Sequence, residues 1–238
     1  MQRGISAAGT QVGGPVRLGL VLAVLAVGGA CHDNDNSTAP VVATTITANE
    51  ATNGQSGAAG TVLAQPVAVT VLDQNGAPIS NATVNWAVES GGGSVASATS
   101  VTDANGNATV AWTVGPTVGT DSLKASIAGG TDAFIMATVT PGPASALLIT
   151  SGGTQTIAAG SVSGPLVVQV VDQFANPVPN ATVTWGVSGG GTLSVTTSTT
   201  DATGTTQITL TTDAAPATYS VTATTGSLSP VTFTIIGT

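Results

Sequence analysis

The residues that could do chemistry are few. His32, Asp33 and Asp35 lie together in HDNDNS, Asp103, Asn105 and Asn107 alternate in DANGN, and Asp201 opens DATG. Alternating acid and amide oxygens are the raw material of a calcium loop. DANGN lacks the bidentate acid that closes such a loop, and Asp-x-x-Gly is ordinary hairpin chemistry. HDNDNS has no preformed geometry to give it affinity, so it reads as a solvated tether. Calcium at these turns would be weak at most, and no cofactor is expected.

Catalysis lacks parts. The single His is His32, the single Cys is Cys31, and Lys124 is the only lysine. Ser-His-Asp, Cys-His and histidine-ligated zinc sites are therefore unavailable to the body of the chain. A carboxylate pair could act alone. However, Asp73, Asp103, Asp172 and Asp201 fall on turns that recur in both halves, where structure accounts for them; Glu89, Asp121, Asp132 and Asp213 do not. No enzyme is expected. Trp86, Trp112 and Trp185 could stack on sugar rings, but each sits in phase with apolar neighbours, which places all three in a core.

Charge narrows the partners. Charged residues make up 6% of the chain, and its cations are Arg3, Arg17 and Lys124 against 11 acids. A nucleic-acid backbone or an anionic membrane surface needs clustered cations, so both are excluded as electrostatic partners. The stretch VRLGLVLAVLAVGGAC (16–31) has a basic flank, a short apolar core and small residues at its end. It is too short to cross a bilayer and reads as a secretory signal peptide over 1–30. Cys31 directly after Gly28, Gly29 and Ala30 resembles the lipobox of bacterial lipoproteins, with Gly28 standing where Leu is usual. The resemblance implies a diacylglycerol on Cys31 and attachment to a membrane through it. Gly28 and Ala30 also satisfy ordinary signal cleavage. A lone exported thiol and the polar tether of 31–41 favour the lipid.

The elements that position these residues are stated twice. LDQNGAPISNATVNW (72–86) returns as VDQFANPVPNATVTW (171–185), and the match runs on collinearly. Asp73, Pro78, Asn81, Trp86 and Gly106 pair with Asp172, Pro177, Asn180, Trp185 and Gly204. Trp112 pairs with Leu210, and Asp121 with Tyr219. This is a duplicated domain. Within each copy apolar residues alternate: Val67, Val69 and Val71, then Ala108, Val110, Trp112 and Val114, with the same scheme at Val168, Val170, Val183 and Trp185. Period-two alternation, scarce helix formers and turns such as DQNGAP and SGGGS predict an all-β chain. Its two immunoglobulin-like sandwiches, of seven or so strands each, occupy 42–141 and 146–238, joined by a short Pro-rich linker at 142–145. Tyr219, at the start of TYSVTA, resembles a tyrosine corner, and Asp121 must close that corner differently.

Each copy resembles the bacterial immunoglobulin-like domain of invasin and intimin surface proteins. The strand ending in Asp73 or Asp172, the turn prolines Pro78 and Pro177, the N-A-T-V-x-W strand and the T-D-x-x-G turn at Gly106 and Gly204 carry the likeness. The closing strands at Leu123 and Val221 also fit. The outer-membrane barrel and lectin-like tip of those proteins have no counterpart in these 238 residues. The signal segment, Cys31 and the tandem modules together give the expectation of an exported, lipid-anchored cell-envelope protein acting as a stalk or interaction module, with a protein or polysaccharide partner that the sequence does not name. The alternatives are a polysaccharide-binding module, which needs an exposed aromatic platform, and a periplasmic subunit docking by strand addition.

Overall fold

The computed structural model describes residues 40–238. The signal segment, Cys31 and the ligand candidates at 32–35 lie outside those residues. Every regular element in the described part is a β-strand. The first domain runs through β1 (Ala43–Ala48), β2 (Gln55–Ala58), β3 (Val67–Asp73), β4 (Thr83–Ser90) and β5 (Ser94–Val95). It continues with β6 (Thr99–Val101), β7 (Asn107–Val110), β8 (Trp112–Thr113), β9 (Gly119–Ser126) and β10 (Asp132–Thr140). The second repeats the series as β11 (Ala146–Ser151), β12 (Thr154–Ile157), β13 (Leu166–Val171), β14 (Thr182–Ser188) and β15 (Thr192–Leu193). β16 (Thr197–Thr199), β17 (Thr205–Ile208), β18 (Leu210–Thr211), β19 (Ala217–Thr224) and β20 (Val231–Gly237) complete it.

Each domain packs a three-stranded sheet on a five-stranded one, in the orders β1-β3-β7 with β2-β10-β9-β4-β6 and β11-β13-β17 with β12-β20-β19-β14-β16. The alternation in the sequence supplies the filling. Along β10, Ala133, Ile135, Ala137 and Val139 are buried while the residues between them face solvent. They meet Val67, Val69 and Val71 from β3, Val84 and Trp86 from β4, and Leu123 from β9 in one core. The second core is built the same way around Val168, Val170, Trp185, Val221, Phe233 and Ile235. Strands far apart in sequence pair directly, β2 with β10 and β4 with β9, so the order is largely non-local, as expected of a sandwich.

The strand count differs from the seven or so per copy that periodicity predicts, because several runs change sheets partway. The opening strand bonds β3 as β1, turns at Gly54 (φ 75°), and continues as β2 parallel to β10. The run 107–114 breaks at Ala111: β7 stays on β3, and β8 forms a two-stranded ribbon with β5. Ala108, Val110, Trp112 and Val114 remain buried through the break, so the period survives while the pairing changes.

Left-handed backbone accounts for the asparagines that open both N-A-T-V-x-W strands. Asn81 and Asn180 each have φ 58°, a region asparagine tolerates better than most side chains. Gly106 and Gly204 are constrained further. At φ 74° and 69°, a Cβ on either would lie 2.7 Å from the carbonyl of Val71 or Val170. Gly76 has φ 81° but open space around it. Gly106→Ala is therefore expected to destabilise the first domain by ~2–3 kcal/mol or more, and Gly76→Ala by only ~1 kcal/mol. Urea unfolding followed by tryptophan emission would read the difference.

Candidate functional site at the interdomain joint

The repeated turn after β3 and β13 is built by one carboxylate. Asp73 Oδ1 accepts the amides of Asn75 (2.7 Å) and Ala77 (2.8 Å). Asp172 Oδ1 accepts those of Phe174 (2.8 Å) and Asn176 (2.9 Å) in the same way. Pro78 and Pro177 then bridge back to Leu72 and Val171. The buried hydroxyls of Thr102 and Thr200 tie the turn down by donating to Ile79 O (2.6 Å) and Val178 O (2.7 Å). To this point the copies agree.

They part at three positions, where Asn75-Gly76-Ala77 becomes Phe174-Ala175-Asn176. In the second copy those side chains meet the first domain. Asn176 Nδ2 donates to the carbonyl of Pro116 (2.7 Å), and its Oδ1 accepts from the amide of Val118 (3.1 Å). Phe174 lies against Gly60, where an added Cβ would come within 2.6 Å of the ring. Asp172 Oδ2, the oxygen beyond the turn itself, accepts Asn176 Nδ2 and the linker amide of Gly142, both at 2.9 Å. It thereby sets which face of the Asn176 amide points at Pro116 and ties the linker to the second domain. Ala175 holds φ 63° where the first copy has glycine, a conformation that costs about 1–2 kcal/mol for alanine.

The socket has its own support. Asp121, 1% exposed, accepts the amide of Gly115 at Oδ2 (2.6 Å), six residues upstream. Tyr219, also fully buried, accepts the amide of Asp213 at its hydroxyl (2.9 Å), again six residues upstream. A carboxylate thus takes the place of the tyrosine corner in the first domain, and it anchors the base of the loop carrying Pro116 and Val118.

The remaining sequence candidates lie elsewhere. Trp86 and Trp185 are buried and donate their indole N–H to Ser100 Oγ (2.9 Å) and Ser198 Oγ (2.8 Å). Trp112 is fully buried and its Nε1 has no hydrogen-bond partner. The exposed aromatic rings are instead Phe134 and Phe174. Asp103 and Asp201 close their own hairpins. The Thr203 hydroxyl, with the Thr205 and Thr203 amides, holds the Asp201 carboxyl down at about 2. Among the described residues no three His, Cys, Asp or Glu side chains gather to hold a metal ion. The lone lysine, Lys124, pairs with Glu89 at 2.9 Å. The joint does not stand out as a site in the sequence. Its signal is nonetheless there, in the three consecutive residues between the aspartate and the proline at which the repeated turn fails to repeat.

Two tandem sandwiches, each with an Asp-built turn and a buried Trp strand, define a modular immunoglobulin-like protein. The chain belongs to the bacterial Ig-like domain (group 1) family, which it matches over residues 41–140 and 147–236. Among solved structures it is similar to the D0-D1 domains of intimin, at 22% identity over 82% of this chain and 98% of that one, with a TM-score of 0.33. It is similar also to the Escherichia coli adhesin FdeC, at 19% over 83% and 66%, with a TM-score of 0.48. A third is invasin, described as a bacterial integrin-binding protein, at 22% over 82% and 40%, with a TM-score of 0.39. No curated protein matches the sequence. Family membership rests on the sequence match.

Burial pushes the Asp172 carboxyl up, but bonds from the Asn176 side chain and from the Gly142, Asn176 and Phe174 amides outweigh it and hold the group below its ordinary value. A carboxyl lowered in the folded state stabilises fully above its unfolded value, and that contribution fades as pH falls through the lowered one. Asn176→Ala should therefore speed hydrogen exchange at the Val118 amide about fivefold or more while both cores stay folded. Acidification below the ordinary carboxylate range should lower the protection factor of the Gly142 amide in the unaltered chain, once the intrinsic slowing of exchange with falling pH is divided out. Amide-resolved exchange by NMR, run at several pH values, checks both.

Proposed function

We propose that this protein is exported, is held at the cell envelope by a lipid on Cys31, and serves as a non-catalytic stalk or interaction module. The observation that carries the stalk part of the reading is the joint, while export and the lipid rest on the sequence of residues 16–41. A stalk needs its modules held to one another, and here one copy of a duplicated turn has been rewritten to grip its neighbour through Asn176 and Phe174. Sandwiches of about this strand length are each ~35–40 Å long, so two in series give a reach of roughly 70–80 Å. Asp73, Asp103, Asp172 and Asp201 build turns, Asp121 a corner, and Glu89 an ion pair, while the tryptophans are core, so the reading assigns structure and contact to the surface.

Membrane attachment in this reading is a matter of one acyl-bearing residue, because the body of the chain offers no cationic patch to an anionic bilayer. Its location is the outer membrane or the cell surface. The test is to grow cells on labelled fatty acid and follow the protein. Label and membrane fractionation should both be lost in Cys31→Ser, and protease added to intact cells should reach the second domain. Label retained by Cys31→Ser would overturn the anchor. Protection of the second domain until the envelope is broken would move the protein to the periplasmic side.

A further inference from the structure

The two domains differ at one more place, the outer edge of the three-stranded sheet. In the first domain Ile46 pairs with Val71, whose own amide and carbonyl are committed elsewhere, to Gly106 O (2.8 Å) and the Ile79 amide (3.1 Å). The Ile46 amide therefore points outward, and the loop after β9 covers it. Ile46 N donates to Thr131 Oγ1 (3.3 Å), and Thr131 N donates to Thr44 O (3.2 Å). Gly130 lets that loop lie close, since a Cβ there would meet Ile127 at 2.5 Å and Thr44 O at 3.0 Å.

In the second domain Leu147 pairs with Val170, which is committed in the same way to Gly204 O and the Val178 amide, both at 2.9 Å. Leu147 N must point outward too. No hydrogen bond to it is found among the described residues. The position of Gly130 is taken by Leu228, whose side chain turns in against the core, and Ser229, in register with Thr131, stands exposed. A groove of about 380 Å³ opens between residues 145–147 and the loop 227–231. Farther along the same edge, Leu148 and Ile149 are 45% and 36% exposed in a segment, ALLITS, that has no charge.

We propose that this groove and the edge of β11 receive an extended, uncharged segment of a partner protein, which adds as a strand and places a Ser or Thr against Leu147. The first domain supplies the argument for the occupant. What closes the equivalent edge there is an amide and a hydroxyl from one threonine, and the second domain lacks both bonds. The lining carries no charged side chain, so an ionic anchor has no purchase in it. A recess walled by a loop admits a single strand, whereas the blunt edge of a second folded sandwich would reach only the exposed part of β11. The site does not depend on lipid at Cys31.

The test uses the chain as it stands after signal removal and a short capped peptide of alternating threonine and valine. In the free protein the Leu147 amide should exchange about fivefold or more faster than that of Ile46. Peptide should slow Leu147 and leave Ile46 unchanged. Ile149→Pro removes the next outward donor at an edge position that tolerates proline, and it should abolish the slowing while the thermal midpoint holds. The proposal fails if Leu147 is already as protected as Ile46, if millimolar peptide leaves its exchange unaltered, or if Ile149→Pro keeps the full response. It also fails if Leu147 becomes protected merely by raising protein concentration, since the occupant would then be a second copy.

Discussion

The carboxylate that ends β3 and directly follows β13 is the fixture on which the rest depends. An aspartate there accepts the amides two and four residues on and forces the chain to reverse before the proline. The reversal starts the N-A-T-V-x-W strand in phase, so that Val84 and Trp86, or Val183 and Trp185, face inward. Loss of phase by one residue would turn that face to water. In the second domain the same group does more. With its other oxygen it orients Asn176 and holds the linker, so one side chain couples the internal order of a sandwich to its placement on a neighbour.

Duplication makes the divergences informative, because each copy is a control for the other. A tyrosine hydroxyl and an aspartate carboxylate do the same backbone-capping job at the corner, Tyr219 in one domain and Asp121 in the other. Trp112 fills the space that Leu210 fills, but brings an indole N–H that nothing satisfies. Thr131 seals an edge that Ser229, at the same register, leaves open. Where the two sentences agree, the sandwich requires it. Where they differ in the turn after β13 and in the loop at Leu228 and Ser229, the residues answer to a joint or an open edge.

Much of the fold can be read from the residues. Period-two alternation over Val67–Val71 or Ala108–Val114 suits a half-buried strand and no helix, and the repeated turns mark where strands stop. The passage of strands between sheets cannot be read in this way, since Ala111 looks like any other alternating position and only pairing partners reveal the break. The joint is hidden for a related reason. Asn176 and Phe174 are ordinary turn residues until the Pro116 carbonyl and Gly60 arrive from more than fifty residues away. Asparagine at 81 and 180 looks in the sequence like a plain turn signal, whereas its left-handed backbone is what makes that residue type suitable there.

The central claim is that one repeated aspartate has two different jobs, and a matched pair of substitutions tests it. Residual dipolar couplings of the two-domain protein would be recorded for Asp73→Asn and Asp172→Asn, each compared with the unaltered chain. The account predicts that both changes weaken their own turn, but that only Asp172→Asn decouples the alignment of the two sandwiches. Equal disturbance of alignment by both substitutions, or none by Asp172→Asn, would contradict it.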